Sequence, residues 1–268
     1  RRNGEMTVAK VKTVFFCTEC GNETPKWMGR CPQCGNWNTF SEETYEQESP
    51  EKTASPAARR HTMLARSVGE SEPRLLSTEP IPDYFRRTTG IGEFDRVLGG
   101  GLVEGSVVLL SGEPGIGKST LLLQICASLA EDRTVLYVSG EESVSQISMR
   151  AKRLGLTSGK LYLLTETNVE KVLKSMDKLN PDILIVDSIQ TMYHNESNTV
   201  PGSVTQIREC AGVFIGKAKS ENTAVLLVGH VNKEGSIAGP KVLEHMVDTV
   251  LYFEGESRQN CRVIRAIK

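Results

Sequence analysis

Residues 112–119 read GEPGIGKS, with four residues between Gly112 and Gly117, then Lys118 and the hydroxyl of Ser119. Glycine frees the backbone to wrap a phosphate chain with its N–H groups, and a helix beginning there adds positive partial charge. The spacing is that of a phosphate loop, so ATP with Mg²⁺ is the cofactor expected on Gly112, Glu113, Pro114, Gly115, Ile116, Gly117, Lys118, Ser119 and Thr120. Lys118 should reach the β- and γ-phosphates and Ser119 should bind the Mg²⁺. Asp187 ends the apolar run ILIVD, some 70 residues beyond Lys118, and is expected to hold the same ion through water. Hydrolysis also needs a group that orients and polarises water. Glu141 and, in reserve, Glu142 follow the run VLYVS and can serve as that base, or can merely cap the next helix. His230 follows AVLLVG; it can sense the γ-phosphate, ahead of a glycine-rich stretch, VNKEGSIAG, able to move with nucleotide state, or it can be structural.

A second chemistry lies near the start. Cys17, Cys20, Cys31 and Cys34 form two CxxC pairs ten residues apart, each followed by glycine. Such knuckles give tetrahedral thiolate coordination of Zn²⁺, and four sulfurs leave no open position, so the metal is structural. Lys26, Trp27 and Arg30 lie between the knuckles, where they can touch nucleic acid or a partner, or close the small core. The remaining cysteines of the seven, Cys126, Cys210 and Cys261, stand singly in apolar surroundings and read as buried small hydrophobes. An odd count with metal-type spacing argues for a reducing compartment.

The elements that must position these groups are legible in the hydrophobic pattern. Runs at 107–111, 135–139, 161–164, 183–187 and 224–229 are short, continuous and rich in valine, isoleucine and leucine, the pattern of parallel strands covered on both faces. Amphipathic stretches at 118–130, 144–154, 169–179 and 204–219 alternate with them, and β-rich segments at 247–253 and 262–267 close the chain. The fold expected is α/β, with a mainly parallel sheet over residues 84–268, a zinc module over 10–40 and a linker over 41–83 rich in Glu, Ser, Pro and Thr. A content of 38% apolar and 24% charged residues is that of a soluble globular protein, and a net charge of −1 leaves nucleic-acid binding to local patches. No stretch approaches the roughly 18 apolar residues of a membrane span. With no leader visible, a cytoplasmic address is expected, with Met6 as the natural start.

Taken together, CTECGNETPKWMGRCPQCGNWNTF, RRTTGIGEFDRVLGGGLVEGSVVLLSGEPGIGKSTLLLQ, YVSGEES, ILIVDSIQT and VGHVNKEGSIAGPKVLEHMVDTVLYFEGE resemble the bacterial RadA (Sms) family over nearly all the chain outside the linker. The resemblance implies a RecA-like ATPase that forms a homo-hexameric ring on single-stranded and branched DNA, works beside a RecA-type recombinase, and drives branch migration as a helicase-like motor. It implies Glu141 as catalytic acid, Asp187 as metal-holding acid and His230 as sensor. It sets DNA-binding loops at 190–203 and 232–241, with Lys233 and Lys241 as phosphate contacts. The family continues through a KNRFG motif, whose first residue is Lys268 here, into a Lon-protease-like domain. A shortened member is therefore expected, lacking most subunit-bridging residues. Three rivals share part of this pattern: a KaiC-type protein that phosphorylates itself, a hexameric replicative helicase, and a nucleotide-gated DNA clamp. The first two lack the cysteine module.

Overall fold

The computed structural model describes residues 10–17, 22–33, 35–47, 86–156, 159–195, 203–230, 240–256 and 261–268. Two separate sheets carry the chemistry. The first is the zinc module: β1 (Lys10–Cys17) lies between β2 (Glu23–Thr24) and β3 (Phe40–Gln47), antiparallel to both. β3 corrects the expected boundary of the linker, because residues 41–47 are strand. Its sequence, FSEETYEQ, shows little apolar character, and it exists because every residue from Phe40 to Gln47 has a partner on β1. Residues 48–83, the rest of the expected linker, lie outside the described residues, as do 84 and 85 of the expected ATPase domain.

The second sheet has seven strands in the order β12-β11-β6-β10-β9-β7-β8. They are β6 (Val107–Gly112), β7 (Val135–Ser139), β8 (Leu161–Thr165), β9 (Ile183–Asp187), β10 (Ala224–His230), β11 (Thr249–Glu256) and β12 (Cys261–Ala266). All neighbours run parallel except the closing pair, where β12 turns back antiparallel to β11. Successive side chains on a strand point to opposite faces, and here both faces are covered. Val107, Leu109, Leu136, Val138, Leu184, Val186, Val225 and Leu227 meet α4 (Val169–Leu179) and α5 (Val204–Glu221) through Val172, Met176, Ile207 and Phe214. Val108, Leu110, Val135, Tyr137, Ile183, Ile185, Leu226 and Val228 meet α2 (Lys118–Leu129) and α3 (Val144–Arg153) through Leu122, Leu123, Ile125 and Ile147. That is why these strands are apolar throughout rather than alternating.

Local signals set the ends. Ser143 and Gln146 form a capping box at the start of α3, and Asn168 and Ser203 cap α4 and α5. α5 stops at Asn222, which takes the left-handed conformation at φ 55°. Ahead of the sheet, a short hairpin of β4 (Arg86–Arg87) and β5 (Leu102–Val103) encloses α1 (Gly92–Val97). The glycine run 99–101 closes it with φ of 72°, 116° and 126°, and a Cβ at Gly101 would lie 2.2 Å from the Arg87 carbonyl oxygen. The isolated cysteines divide. Cys126 and Cys210 are buried, their thiol pKa values raised by burial, that of Cys210 to about 12. Cys261 is a correction: it is partly exposed, because β12 lies at the edge of the sheet with one neighbour among the described residues.

Candidate active site

Four strands of the large sheet finish at one edge, and each delivers a polar group there. In register, His230 of β10 stands beside Gly112 of β6, and Ser139 of β7 stands beside Asp187 of β9. Ligands of parallel α/β sheets gather at this carboxyl edge. The chain leaving β6 forms the loop 112–117 and enters α2 at Lys118, with Gly117 in the helix-capping position at φ 115°. Glu113, Pro114 and Gly115 form an exposed crest, and a Cβ at Gly115 would meet nothing within 4 Å. Lys118 beneath is buried, and its ammonium donates to the carbonyls of Gly112 at 2.7 Å and Glu113 at 2.9 Å. Burial lowers its pKa, and the nearby carboxylates of Asp187 and Glu141 oppose that shift. Ser119 and Thr120 are half-buried on the first turn of α2. An open glycine crest, a helix start and a buried cation fit a nucleotide triphosphate with its Mg²⁺.

Asp187 is nearly buried, and its Oδ2 accepts a 2.6 Å hydrogen bond from the hydroxyl of Tyr137 on β7. The Tyr137 hydroxyl has its pKa raised well above normal, by burial first and by Asp187 second, so it is a donor at neutral pH. Glu141 and Glu142 part company. Glu142 pairs with Arg150 of α3 and serves that helix. Glu141 instead points its Oε1 at Ser188 Oγ, 2.6 Å away, and at His230 Nε2, 3.1 Å away. The His230 contact, with Ser188 and Lys118 in support, outweighs burial and holds the Glu141 pKa at about 2. Gln190, on the 3-10 turn Ile189–Thr191, donates to the His230 carbonyl at 3.3 Å. His230 Nδ1 is buried and meets no partner among the described residues. Such a set can hold a metal at Asp187, phosphates at Lys118, and a water near Glu141.

Sequence reasoning missed several members. Tyr137, Ser188 and Gln190 are not in any phosphate-loop pattern, although a hydroxyl inside the otherwise apolar VLYVS was a visible signal. Gly140 packs so closely that a Cβ would lie 1.9 Å from Thr191 Oγ1. The hairpin β11–β12 was read only as closing strands, yet it walls the phosphate loop. A Cβ at Gly117 would lie 3.0 Å from Arg262 Nη1, and one at Gly255 would lie 2.7 Å from Ile116 Cδ1. No local signal in the sequence announces that contact. Lys233 lies outside the described residues; Lys241 falls on α6 (Pro240–Glu244), its side chain outside them.

In the zinc module, Cys17 and Cys31 are buried together with Phe40, against Phe15. The two knuckles turn alike: the N–H of Cys17 donates to the Asn22 carbonyl at 2.8 Å and that of Cys31 to the Asn36 carbonyl at 2.9 Å. Gly35 makes its turn at φ 77°. Two buried thiols, one in each of two equivalent turns, fit a tetrahedral thiolate site. Cys20 and Cys34 lie outside the described residues.

The parallel sheet and the phosphate loop define the class, and comparison with known families agrees. The chain belongs to the AAA domain family, whose model matches residues 86–236, and residues 15–42 match a rubredoxin metal binding domain. It is an α/β P-loop protein with an N-terminal zinc ribbon. Among known proteins, it is 48% identical over 262 residues to the DNA repair protein RadA of Bacillus subtilis (strain 168), covering 97% of this chain and 56% of that protein. The DNA repair protein RadA of Pseudomonas aeruginosa is 48% identical over 261 residues, again 97% of this chain and 56% of the relative. That of Halalkalibacterium halodurans is 47% identical over 262 residues, with the same coverage. The resemblance read from the motifs is thereby borne out. The chain spans a little over half the length of these relatives.

Proposed function

We propose that this chain is the ATP-hydrolysing core of a DNA-dependent, helicase-like motor that drives branch migration on recombination intermediates during DNA repair. The observation that carries the reading is the meeting of Lys118, Asp187, Glu141 and His230, at or beyond the ends of four different strands, at one sheet edge beside an open phosphate loop. The relatives' description as DNA repair proteins supports the choice of DNA as the activating ligand. Residues 112–120 hold the triphosphate, with Lys118 on its β- and γ-oxygens and Ser119 and Asp187 on Mg²⁺. Tyr137 fixes the Asp187 carboxylate. Glu141, held well below the usual carboxylate range while it meets His230, is ionised at neutral pH and orients the attacking water. His230 exchanges its Glu141 contact for the γ-phosphate, which reports nucleotide state to the chain that follows.

The domain plan proposed with this function is a zinc module, a linker and an ATPase domain reaching residue 268. Cys17, Cys20, Cys31 and Cys34 hold a structural zinc. The whole protein assembles as a hexamer on single-stranded and branched DNA, beside a RecA-type recombinase in the cytoplasm. No helix among the described residues is long and apolar enough to cross a membrane. The test compares the full-length protein with its Glu141→Gln variant for DNA-stimulated ATP turnover and for extension of branched DNA. The variant is expected to bind ATP and DNA but neither to turn over nor to extend branches. Branch extension by the variant would assign a nucleotide-gated clamp, and a wild type indifferent to DNA would overturn the motor.

A further inference from the structure

The chain has two tryptophans, and both stand in water on the zinc ribbon: Trp27 is 55% exposed and Trp37 is 70% exposed. Neither closes the ribbon's core, which is built from Cys17, Cys31 and Phe40 against Phe15. Large aromatic groups left together on a small surface mark a contact site. Their arrangement is specific. A Cβ at Gly29 would lie 3.8 Å from the Trp27 ring and 3.8 Å from the Trp37 ring, so the two indoles converge on one backbone point that carries no side chain.

The platform is held in place rather than loosely displayed. Arg30 and Trp37 form an antiparallel bridge, and the Asn38 N–H donates to the Gly29 carbonyl at 2.7 Å. Thr24 Oγ1 donates to the Lys26 carbonyl at 2.8 Å. Arg30 Nε donates to the Gly35 carbonyl at 2.9 Å, which sets its guanidinium 5.9 Å from the centre of the Trp37 ring. Lys26 and Arg30 are exposed, and from Thr24 through Ser41 the chain has no acidic residue.

We propose that the Trp27–Trp37 face binds single-stranded nucleic acid, with the indoles stacking on bases and Lys26 and Arg30 meeting phosphates. The inference rests on the DNA-binding reading above and names a site for it. Every base has a π-face, so stacking on fixed aromatics holds a strand without reading its sequence, as a motor requires. Rigid indoles lose little entropy on binding, and two cations in a stretch of sequence without acidic residues match a polyanion. A protein partner fits less well, because among the described residues of the ribbon the exposed large apolar side chains are Trp27, Met28 and Trp37, a small patch beside a standard interface of about 20–30 residues a side.

Residues 1–268 contain no other tryptophan, so the fluorescence of this chain reads the site directly. The zinc-loaded 268-residue chain is titrated with unlabelled oligothymidine while tryptophan emission is followed. Binding of a dye-labelled strand is measured in parallel by anisotropy, for wild type, Trp27→Ala/Trp37→Ala and Trp27→Phe/Trp37→Phe. Wild-type emission should be quenched on binding. The alanine pair should bind roughly 10- to 100-fold more weakly, and the phenylalanine pair should keep most of the affinity. Zinc content and DNA-free ATP turnover should be unchanged in both pairs. A wild type that binds the strand without quenching, and an alanine pair that binds equally well, overturn the inference while leaving DNA binding intact, and reassign the patch to a protein contact. A wild type that binds no strand with or without ATP overturns the DNA reading itself, and this site with it.

Discussion

Tyr137→Phe isolates the contact that steadies the metal-holding acid. The substitution removes one oxygen and keeps the ring, which is 2% exposed and packed among the residues of one sheet face. Asp187 then loses its 2.6 Å donor while remaining 5% exposed, so its carboxylate is left short of a partner in a place water hardly reaches. A buried hydrogen bond to a charged group contributes about 1.5–3 kcal/mol, part of which is offset because phenylalanine needs no desolvation of a hydroxyl. A net loss of about 2 kcal/mol follows, roughly a thirtyfold fall in the folded-to-unfolded ratio. In a domain of this size that lowers the melting midpoint by about 4–8 °C. Thermal and urea unfolding of the two proteins without nucleotide measure it, and an unchanged urea slope shows that the fold is kept. ATP turnover should also need more Mg²⁺, because Asp187 is no longer held. A midpoint within about 1 °C of wild type, with Mg²⁺ dependence unmoved, refutes the reasoning and makes the tyrosine a packing residue.

Lys118→Ala should cut ATP turnover about a hundredfold or more while the far-ultraviolet spectrum stays that of the folded protein, since the lysine's task is charge on phosphate. Gly101→Ala should lower the unfolding free energy by about 1–3 kcal/mol, because the new Cβ meets the Arg87 carbonyl oxygen at 2.2 Å with φ at 126°; urea unfolding measures this. Elemental analysis should find one zinc per chain, and chelating it should raise hydrogen exchange in residues 10–47 while the melting of the ATPase sheet is unchanged. Exchange spreading through β6 to β10 would show that the ribbon supports that sheet.

The parts of the fold legible in the sequence were those whose signal is local. VVLLS, VLYVS and ILIVD are apolar throughout because helices cover both faces of their strands, and no partner need be known to see it. Strand β3 was invisible for the opposite reason: FSEETYEQ is set by pairing with β1, about thirty residues away, not by its own pattern. The same division holds in the site. The phosphate loop announces itself in eight consecutive residues, whereas the choice between Glu141 and Glu142 depended on which carboxylate reached His230, 89 residues on. Arg262 beside Gly117 and Tyr137 beside Asp187 are products of strand order, which periodicity does not carry. Cys261 was misread because it was grouped with the two buried cysteines, although its neighbours Asn260 and Arg262 are polar and nothing local reveals that its strand lies at an edge.

The hydrogen bond from Gln190 to the His230 carbonyl ties the turn after β9 to the last residue of β10. Residues 196–202 and 231–239 follow these two tied ends in sequence, and Gln190 is one contact removed from Glu141, through His230. Equilibrium coupling between ligands is reciprocal. A strand gripped by either stretch that tightens the hold on ATP by some factor is itself held tighter, by the same factor, when ATP is present. Under the proposed function, DNA would then be an effector of the nucleotide site as much as its cargo, and loss of the γ-phosphate would weaken the grip. The coupling one such network transmits is of the order of 1–3 kcal/mol. That is enough to bias the direction of a step and small enough for the step to be undone when the next ATP binds.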